Sequence, residues 1–152
     1  AQRFIYTGKW PSNFRVVTIF GRALMSWRCE ASHRYVPLHS RWDFKAKGGI
    51  TVVSNKQDSS YALARDAAVI ALAEKAHAAF PDQPLLGTDI VRDADTGELH
   101  VIECNPRGDA WLISSDMGRM IEQANGLDFA GQFGALEIAA RALIEAARAR
   151  AR

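Results

Sequence analysis

Apolar and polar positions along this 152-residue chain recur with two different periods, and each period predicts one type of element. Residues 14–20 are rich in Val, Ile, Thr and Phe, which is typical of a buried strand. Residues 23–30 alternate between two faces, and Gly21 and Arg22 make the turn between these strands. Apolar residues after Asp128, a candidate helix cap, recur at helical spacing. Further strands are predicted at residues 2–6 and 50–53, and further helices at residues 59–80 and 116–124.

Two more apolar runs flank a turn in the second half of the chain. Residues 86–92 and 99–104 lie on either side of residues 93–98, whose Asp and Gly content predicts a β-hairpin. Pairing of Asp93 with Leu99 across this turn sets the antiparallel register of the whole hairpin.

That register places Asp89 directly opposite Glu103, with Asn105 two residues farther along the same face. Like charges opposed across strands destabilise a sheet, so this pair indicates a cation between the strands. The three side chains offer only oxygen ligands, which suits Mg²⁺ or Mn²⁺. The alternative is a surface hairpin with acidic residues and no metal.

The predicted elements define one α/β (α+β) domain over residues 1–152, an antiparallel sheet with helices packed on one face. Lys and Arg number 19 and Asp and Glu 17, and this small excess does not predict nucleic-acid binding. No apolar run is long enough to predict a membrane span. Cys29 and Cys104 lack metal-like spacing and lie in apolar strands, and such reduced thiols predict a cytoplasmic protein.

Residues 87–90 and 102–106, GTDI and IECNP, resemble the metal-binding signature of the ATP-grasp ligases. In that family an Asp on one strand and a Glu-x-Asn on the next hold the magnesium ions of ATP. The likeness extends from residues 2–5 to residues 126–131. Within the family, the chain resembles the branch that contains the glutamate-adding ribosomal-protein ligase and glutathione synthetase. The resemblance therefore implies a C-terminal ATP-grasp subdomain whose three oxygen ligands hold magnesium.

The resemblance also implies an activity, that of an ATP-dependent carboxylate–amine ligase. In such an enzyme ATP phosphorylates a carboxylate, and an amine then displaces phosphate from the acyl phosphate to leave an amide. The expected partners are ATP and a small-molecule or peptide carboxylate and amine. The family places nucleotide-contacting segments upstream of residue 1, so we expect a fragment that is inactive without the missing N-terminal part. The rival interpretation is a non-enzymatic ATP-grasp-like module for binding or oligomerisation.

Arg15 and Arg28 each lie in a strand that is predicted to be buried, where an unpaired guanidinium would be costly. Either they form internal salt bridges, with Asp89 or Glu103 as candidate partners, or they face the metal cleft and bind phosphoryl oxygens. The family pattern has phosphate-contacting arginines at both places, so the resemblance implies a catalytic role for both.

The resemblance assigns further contacts at both ends of the site. Asn13 stands where relatives often have an Asp that touches the nucleotide ribose. Arg107 and Gly108 follow the metal ligands and are expected to bind the acceptor substrate, although a plain turn is the alternative. The nucleotide-binding residues implied by the resemblance are Arg3, Phe4, Ile5, Asn13 and Arg28.

The irregular, basic loop over residues 31–47 predicts either a functional flap or a linker. Its aromatic residues Trp42 and Phe44 have no obvious partner in the sequence. Together with an uncovered strand at residues 2–6, they predict a homo-oligomer.

Overall fold

The structure is a computed structural model, and it describes residues 3–43, 58–106 and 108–151. Within these residues the chain forms a five-stranded antiparallel sheet and three α-helices. The strands are β1 (Ser12–Ile19), β2 (Arg22–Ala31), β3 (Ser59–Leu63), β4 (Leu85–Arg92) and β5 (Leu99–Asn105), and they are arranged in the order β3-β2-β1-β4-β5. The helices are α1 (Ala67–His77), α2 (Asp116–Asn125) and α3 (Ala135–Arg150), with a short 3₁₀ helix over Ala110–Ile113.

The central hairpin of β1 and β2 forms where the sequence predicts it. Phe20 and Gly21 close the turn with φ angles of 45° and 78°, the left-handed conformation that two-residue hairpin turns require. The register shifts by one residue opposite Val17, so Leu24 is an extra residue in β2. The predicted strands at residues 14–20 and 23–30 are confirmed.

Helices cover both faces of the sheet. Val16 and Val17 are both fully buried although their side chains point to opposite faces. Val17 and Trp27 belong to the apolar cluster that packs against α3, whereas Val16 and Ile90 belong to the cluster that packs against α1. The predicted α+β class with an antiparallel sheet is confirmed. The prediction that the helices pack on one face is wrong, because the continuous apolar run in β1 buries both faces.

The segment predicted as one helix over residues 59–80 divides into a strand and a helix. Ser59–Leu63 pairs with the free edge of β2 as an edge strand. Asp66 then caps α1, since its Oδ1 accepts the N–H groups of Ala68 and Val69 at 3.1 and 3.2 Å. The available strand edge, and not local spacing, decides where the helix begins.

The predicted strand at residues 2–6 is wrong, because the described part of it has no regular structure. Tyr6 fastens this segment instead: its carbonyl accepts the N–H of Ala94 at 2.7 Å and its hydroxyl donates to the Leu38 carbonyl at 3.1 Å. The predicted strand at residues 50–53 lies outside the described residues. No helix in the described ranges is long and apolar enough to cross a membrane.

The two C-terminal helices differ in how well they were predicted. The short helix predicted at residues 116–124 is confirmed as α2. The last helix begins at Ala135 and not at Asp128, whose Oδ1 accepts the Gly131 N–H at 2.7 Å and closes a turn.

The side chain of Gln132 continues the sheet past the end of β3. Its Oε1 accepts the Ser26 N–H, and its Nε2 donates to the carbonyls of Ser26 and Ala64, each at 2.8 Å. Gln132 is 3% exposed, so these bonds satisfy backbone groups that water cannot reach. The contact holds the segment before α3 against the sheet.

His77 joins α1 to the sheet through two hydrogen bonds. Its Nε2 lies 2.8 Å from the carbonyl of Gln83, which can only accept, so Nε2 donates. Nδ1 lies 2.6 Å from the hydroxyl of Thr18, whose Oγ1 also lies 3.2 Å from the Leu86 carbonyl. Thr88 is equally buried, but its hydroxyl has no hydrogen-bond partner in the described parts of the chain.

The two buried threonines provide a matched pair of substitutions. Thr18→Val is expected to lower the free energy of unfolding by about 1–3 kcal/mol, because it removes the hydroxyl that contacts His77 Nδ1 and the Leu86 carbonyl. Thr88→Val removes a hydroxyl that forms no hydrogen bond with the described residues, so it is expected to be neutral or stabilising. Urea unfolding of both variants measures the difference, and equal losses would show that the His77 bond contributes nothing specific.

Candidate functional site

Three oxygen-bearing side chains lie on one face of β4 and β5, at the end away from the hairpin turn. Asp89 lies directly opposite Glu103, and Gly87 lies opposite Asn105. Directly paired residues of antiparallel strands share a face, so Glu103 lies across from Asp89 and Asn105 lies two residues farther along the same face. Asp89 is buried, Asn105 half-buried and Glu103 exposed. The predicted register is confirmed at these positions.

Near the turn, however, the register differs by one residue from the prediction. Arg92, and not Asp93, pairs with Leu99. The register then shifts between Asp89 and Ile90, which leaves Ile102 as an extra residue in β5. Without this bulge, Glu103 would pair one position away and its side chain would point to the opposite face.

Arg15 is held by two carboxylates. Its Nε and Nη2 donate to Oδ1 and Oδ2 of Asp89 at 2.6 and 2.8 Å, and its Nη1 donates to Oδ2 of Asp109 at 2.9 Å. Asn13 Nδ2 adds a bond to Asp89 Oδ1 at 3.3 Å. Of the two alternatives that the sequence left open, the internal salt bridge is therefore formed, and it lies within the carboxylate cluster itself.

The charges of this cluster do not balance. Burial raises the pKa of Asp89 above its ordinary value, and the positive charge and hydrogen bonds of Arg15 only partly oppose this. The negative charges of Glu103 and Asp109 raise that pKa further. Among the described residues Glu103 has no ion pair, so three carboxylates face one guanidinium.

Arg28 lies on the other face of the sheet. It pairs with Phe14 across β1 and β2, whereas Arg15 is the next residue along β1 and points away from it. Its Nη2 donates to Glu30 Oε2 at 2.5 Å and to Ser12 Oγ at 3.2 Å. The expectation that Arg28 faces the same cleft as the carboxylates is therefore wrong, because strand alternation separates the two arginines.

The loop after β5 folds back onto β4 through two glycines. A Cβ added to Gly87 would lie 2.8 Å from the Gly108 Cα, which is closer than such atoms approach. Gly108 has a φ of 50°, a conformation that glycine adopts without strain. This contact brings Asp109 to Arg15, a role that sequence reasoning missed because it depends on a backbone contact between distant residues. Arg107, predicted with Gly108 to bind substrate, lies outside the described residues.

The other predicted nucleotide-binding residues are dispersed. Asn13 lies beside Asp89, as described above. Arg3 is exposed and Phe4 and Ile5 are half-buried in the irregular segment before Tyr6, which is bonded to the turn end of the β4–β5 hairpin. The structure thus brings Asn13 into the carboxylate cluster and places residues 3–5 near the opposite end of that hairpin.

The donor chemistry of the cluster fits a hard divalent cation. Oδ2 of Asp89 accepts one bond from Arg15 and keeps a second acceptor position, and Asn13 Oδ1 is a buried acceptor without a partner in the described ranges. Glu103 and Asn105 supply further oxygens, which are the ligands that Mg²⁺ prefers. In those ranges no three His, Cys, Asp or Glu side chains are arranged to hold a metal, so the third protein ligand would be the Asn105 amide.

Comparison with known proteins found likenesses among solved structures. One is a structure of the ATP-grasp ligase PsnB complexed with a phosphomimetic variant of minimal precursor, Mg and ADP, at 18% identity and a TM-score of 0.49 over 92% of this chain. Another is a structure of the ATP-grasp ligase PsnB complexed with minimal precursor, at 17% identity and a TM-score of 0.48 over 93% of this chain.

This chain spans about a third of those structures, covering 34% and 36% of their length. No family model matches the sequence, and no curated protein matches it.

The charge imbalance of the cluster can be tested by comparing the stability of the wild type and of Asp89→Asn as a function of pH. Because the pKa of Asp89 is raised in the folded protein, the native state binds this proton more tightly than the unfolded chain does. The wild type is therefore expected to lose stability relative to the variant as pH rises from about 4 through the raised pKa. Urea unfolding between about pH 4 and about pH 7 measures this difference.

A wild type that instead gains stability relative to Asp89→Asn would show that Arg15 outweighs burial at this carboxyl.

Proposed function

We propose that this chain is the C-terminal part of an ATP-grasp ligase, an ATP- and magnesium-dependent enzyme that joins a carboxylate to an amine through an acyl phosphate. The observation that carries the proposal is the pairing of Asp89 with Glu103 on one sheet face, flanked by Asn105 and by Arg15. The resemblance of residues 87–90 and 102–106 to the ATP-grasp signature supports the same assignment.

In this proposal Asp89, Glu103 and Asn105 hold the magnesium ion. The bound ion supplies positive charge that offsets the charge developing on the transferred phosphoryl group. Glu103 is exposed and Asp89 is buried, so substrate phosphates would approach a bound Mg²⁺ from the side of Glu103 and would supply its remaining ligands. Burial of Asp89 limits water at the inner side of the cluster and strengthens its electrostatic interactions.

Arg15 is the residue of this chain best placed to contact the transferring phosphoryl group. Its planar guanidinium already binds carboxylate oxygens in pairs, and phosphate oxygens have the same geometry. The proposal leaves Arg28 out of this role, because its guanidinium lies on the other sheet face with Glu30.

Several expectations from the resemblance stay predictions. These are the nucleotide contacts of Asn13 and residues 3–5, and the acceptor contacts of Arg107 and Gly108. The carboxylate and amine substrates, the N-terminal part of the protein and a homo-oligomer also belong to the proposal. Trp42 is 79% exposed, so this aromatic side chain is available for a partner, as the oligomer prediction requires.

A second candidate is a non-enzymatic binding module of the same fold. The observation that favours it is the closed ion pair, in which both Asp89 oxygens already accept bonds from Arg15. In such a module the cluster would be a structural salt bridge and nothing more. The two candidates differ in whether the cluster binds a divalent cation with nucleotide.

Metal binding separates these candidates. Adding Mg²⁺ with ATP to the complete protein is expected to raise its melting temperature, and Glu103→Gln is expected to abolish the rise because it removes the exposed carboxylate ligand. Glu98→Gln, in the hairpin turn with a side chain that is 70% exposed, is the matched control and should preserve the rise. Thermal unfolding with and without the ligands measures the effect, and an unchanged rise in Glu103→Gln would favour the module.

Turnover tests the role of Arg15. Arg15→Gln in the complete protein is expected to lower kcat by about 10²- to 10³-fold, because a fixed positive charge acts most strongly in the transition state. Arg22→Gln, whose arginine forms an exposed pair with Glu145, is the control and should leave kcat unchanged. Steady-state kinetics with ATP measures both. If Arg28→Gln lowers kcat as much as Arg15→Gln does, Arg28 has the catalytic role that the resemblance implies.

A further inference from the structure

Asp109 belongs to neither apolar core and has no place in the sequence signature, yet it is held close to the centre of the site. It directly follows Gly108, whose backbone packs on that of Gly87. A Cβ on Gly108 would lie 3.2 Å from the Gly87 nitrogen and 3.3 Å from Val17 Cγ1, so the loop is seated tightly on the sheet. The position of the Asp109 carboxylate therefore follows from a backbone contact.

The carboxylate of Asp109 takes the one nitrogen of Arg15 that Asp89 leaves free. Nε and Nη2 of Arg15 face Asp89, and Nη1 lies 2.9 Å from Asp109 Oδ2. The side chains of Arg15 and Asp109 are each 16% exposed, so neither charge is well screened by water. Arg15 thus has two separate anionic partners, Asp89 on β4 and Asp109 in the loop after β5.

We propose that Asp109 is a positioning residue, which keeps Arg15 beside the site when a divalent cation engages Asp89. This inference rests on the proposed function. A cation at Asp89 would repel the guanidinium and weaken its bidentate pair, since like charges then share one carboxylate. Asp109 supplies a counter-charge on the far edge of Arg15, so the arginine keeps a partner while Asp89 accepts the cation.

Without Asp109, Arg15 would have only Asp89 as its anionic anchor among the described residues. The cation would then have to compete with the full ion pair for Asp89, and its affinity would fall. Side chains that orient metal ligands in this indirect way typically change metal affinity by about 10- to 100-fold when they are replaced.

Mn²⁺ titration of the complete protein with ATP present, followed by electron paramagnetic resonance of the protein-bound ion, tests this role. Asp109→Asn is expected to weaken Mn²⁺ binding by about tenfold, and Asp109→Glu is expected to restore most of it. In an Arg15→Gln background, Asp109→Asn should change the affinity by less than about twofold, because no guanidinium remains to be held. Asp116→Asn, whose side chain is 91% exposed on α2, is the control and should leave the affinity unchanged.

Gly87→Ala provides a second variant that leaves every charge in place. Its Cβ would lie 2.8 Å from the Gly108 Cα and 3.2 Å from Arg15 Nη1, so it crowds both the loop that carries Asp109 and the guanidinium that Asp109 holds. This variant is expected to reproduce the loss seen in Asp109→Asn, with thermal unfolding to confirm that it is folded. If folded Gly87→Ala binds Mn²⁺ as tightly as the wild type, the proposed positioning role of Asp109 is contradicted.

Equal losses from Asp109→Asn in the Arg15 and Arg15→Gln backgrounds would overturn the inference, since Asp109 would then act through its own charge at the metal. No loss in either background would overturn it as well. A wild type that binds no Mn²⁺ would overturn the proposed function and this inference together. Wild-type binding with a failed Asp109 test leaves the proposed function standing.

Discussion

The ion pair between Arg15 and Asp89 is the interaction on which the polar half of this sheet depends. It joins the neighbouring strands β1 and β4, and it buries most of a carboxylate. A buried charge is tolerated only with partners, and here the partner does not fully compensate, since the pKa of Asp89 stays raised. The surrounding residues either supply further hydrogen bonds, as Asn13 does, or add negative charge.

The same face of the sheet carries both the core and the candidate site. Along β2, Met25, Trp27 and Cys29 belong to the cluster that packs against α3 and Phe129. Trp27 pairs with Arg15 on β1, and Arg15 pairs with Asp89 on β4, so the polar cluster begins beside this core. Because the strands run through both regions, the tightly packed core fixes the backbone positions from which the polar side chains project.

The predicted pairing of Asp89 with Glu103 is confirmed through two features that offset each other. The hairpin loop contains one residue more than expected, and the bulge at Ile102 restores the pairing of Asp89 with Glu103. Simple alternation cannot locate a bulge, because an extra residue leaves no mark in a short apolar run. Arg28 shows the converse case, since its strand was predicted correctly while its face relative to Arg15 depended on pairing between strands.

The sequence by itself determined the elements whose signals are local. The apolar runs of β1 and β2, the hairpin turn and the short helix α2 were readable because side-chain periodicity and turn chemistry act within a few residues. Only the tertiary structure decided that Ser59–Leu63 is a strand, that helices cover both faces, and that Asp109 reaches Arg15. Each of these depends on contacts between residues far apart in the chain, such as a free strand edge or two glycines in contact, and local patterns do not encode such contacts.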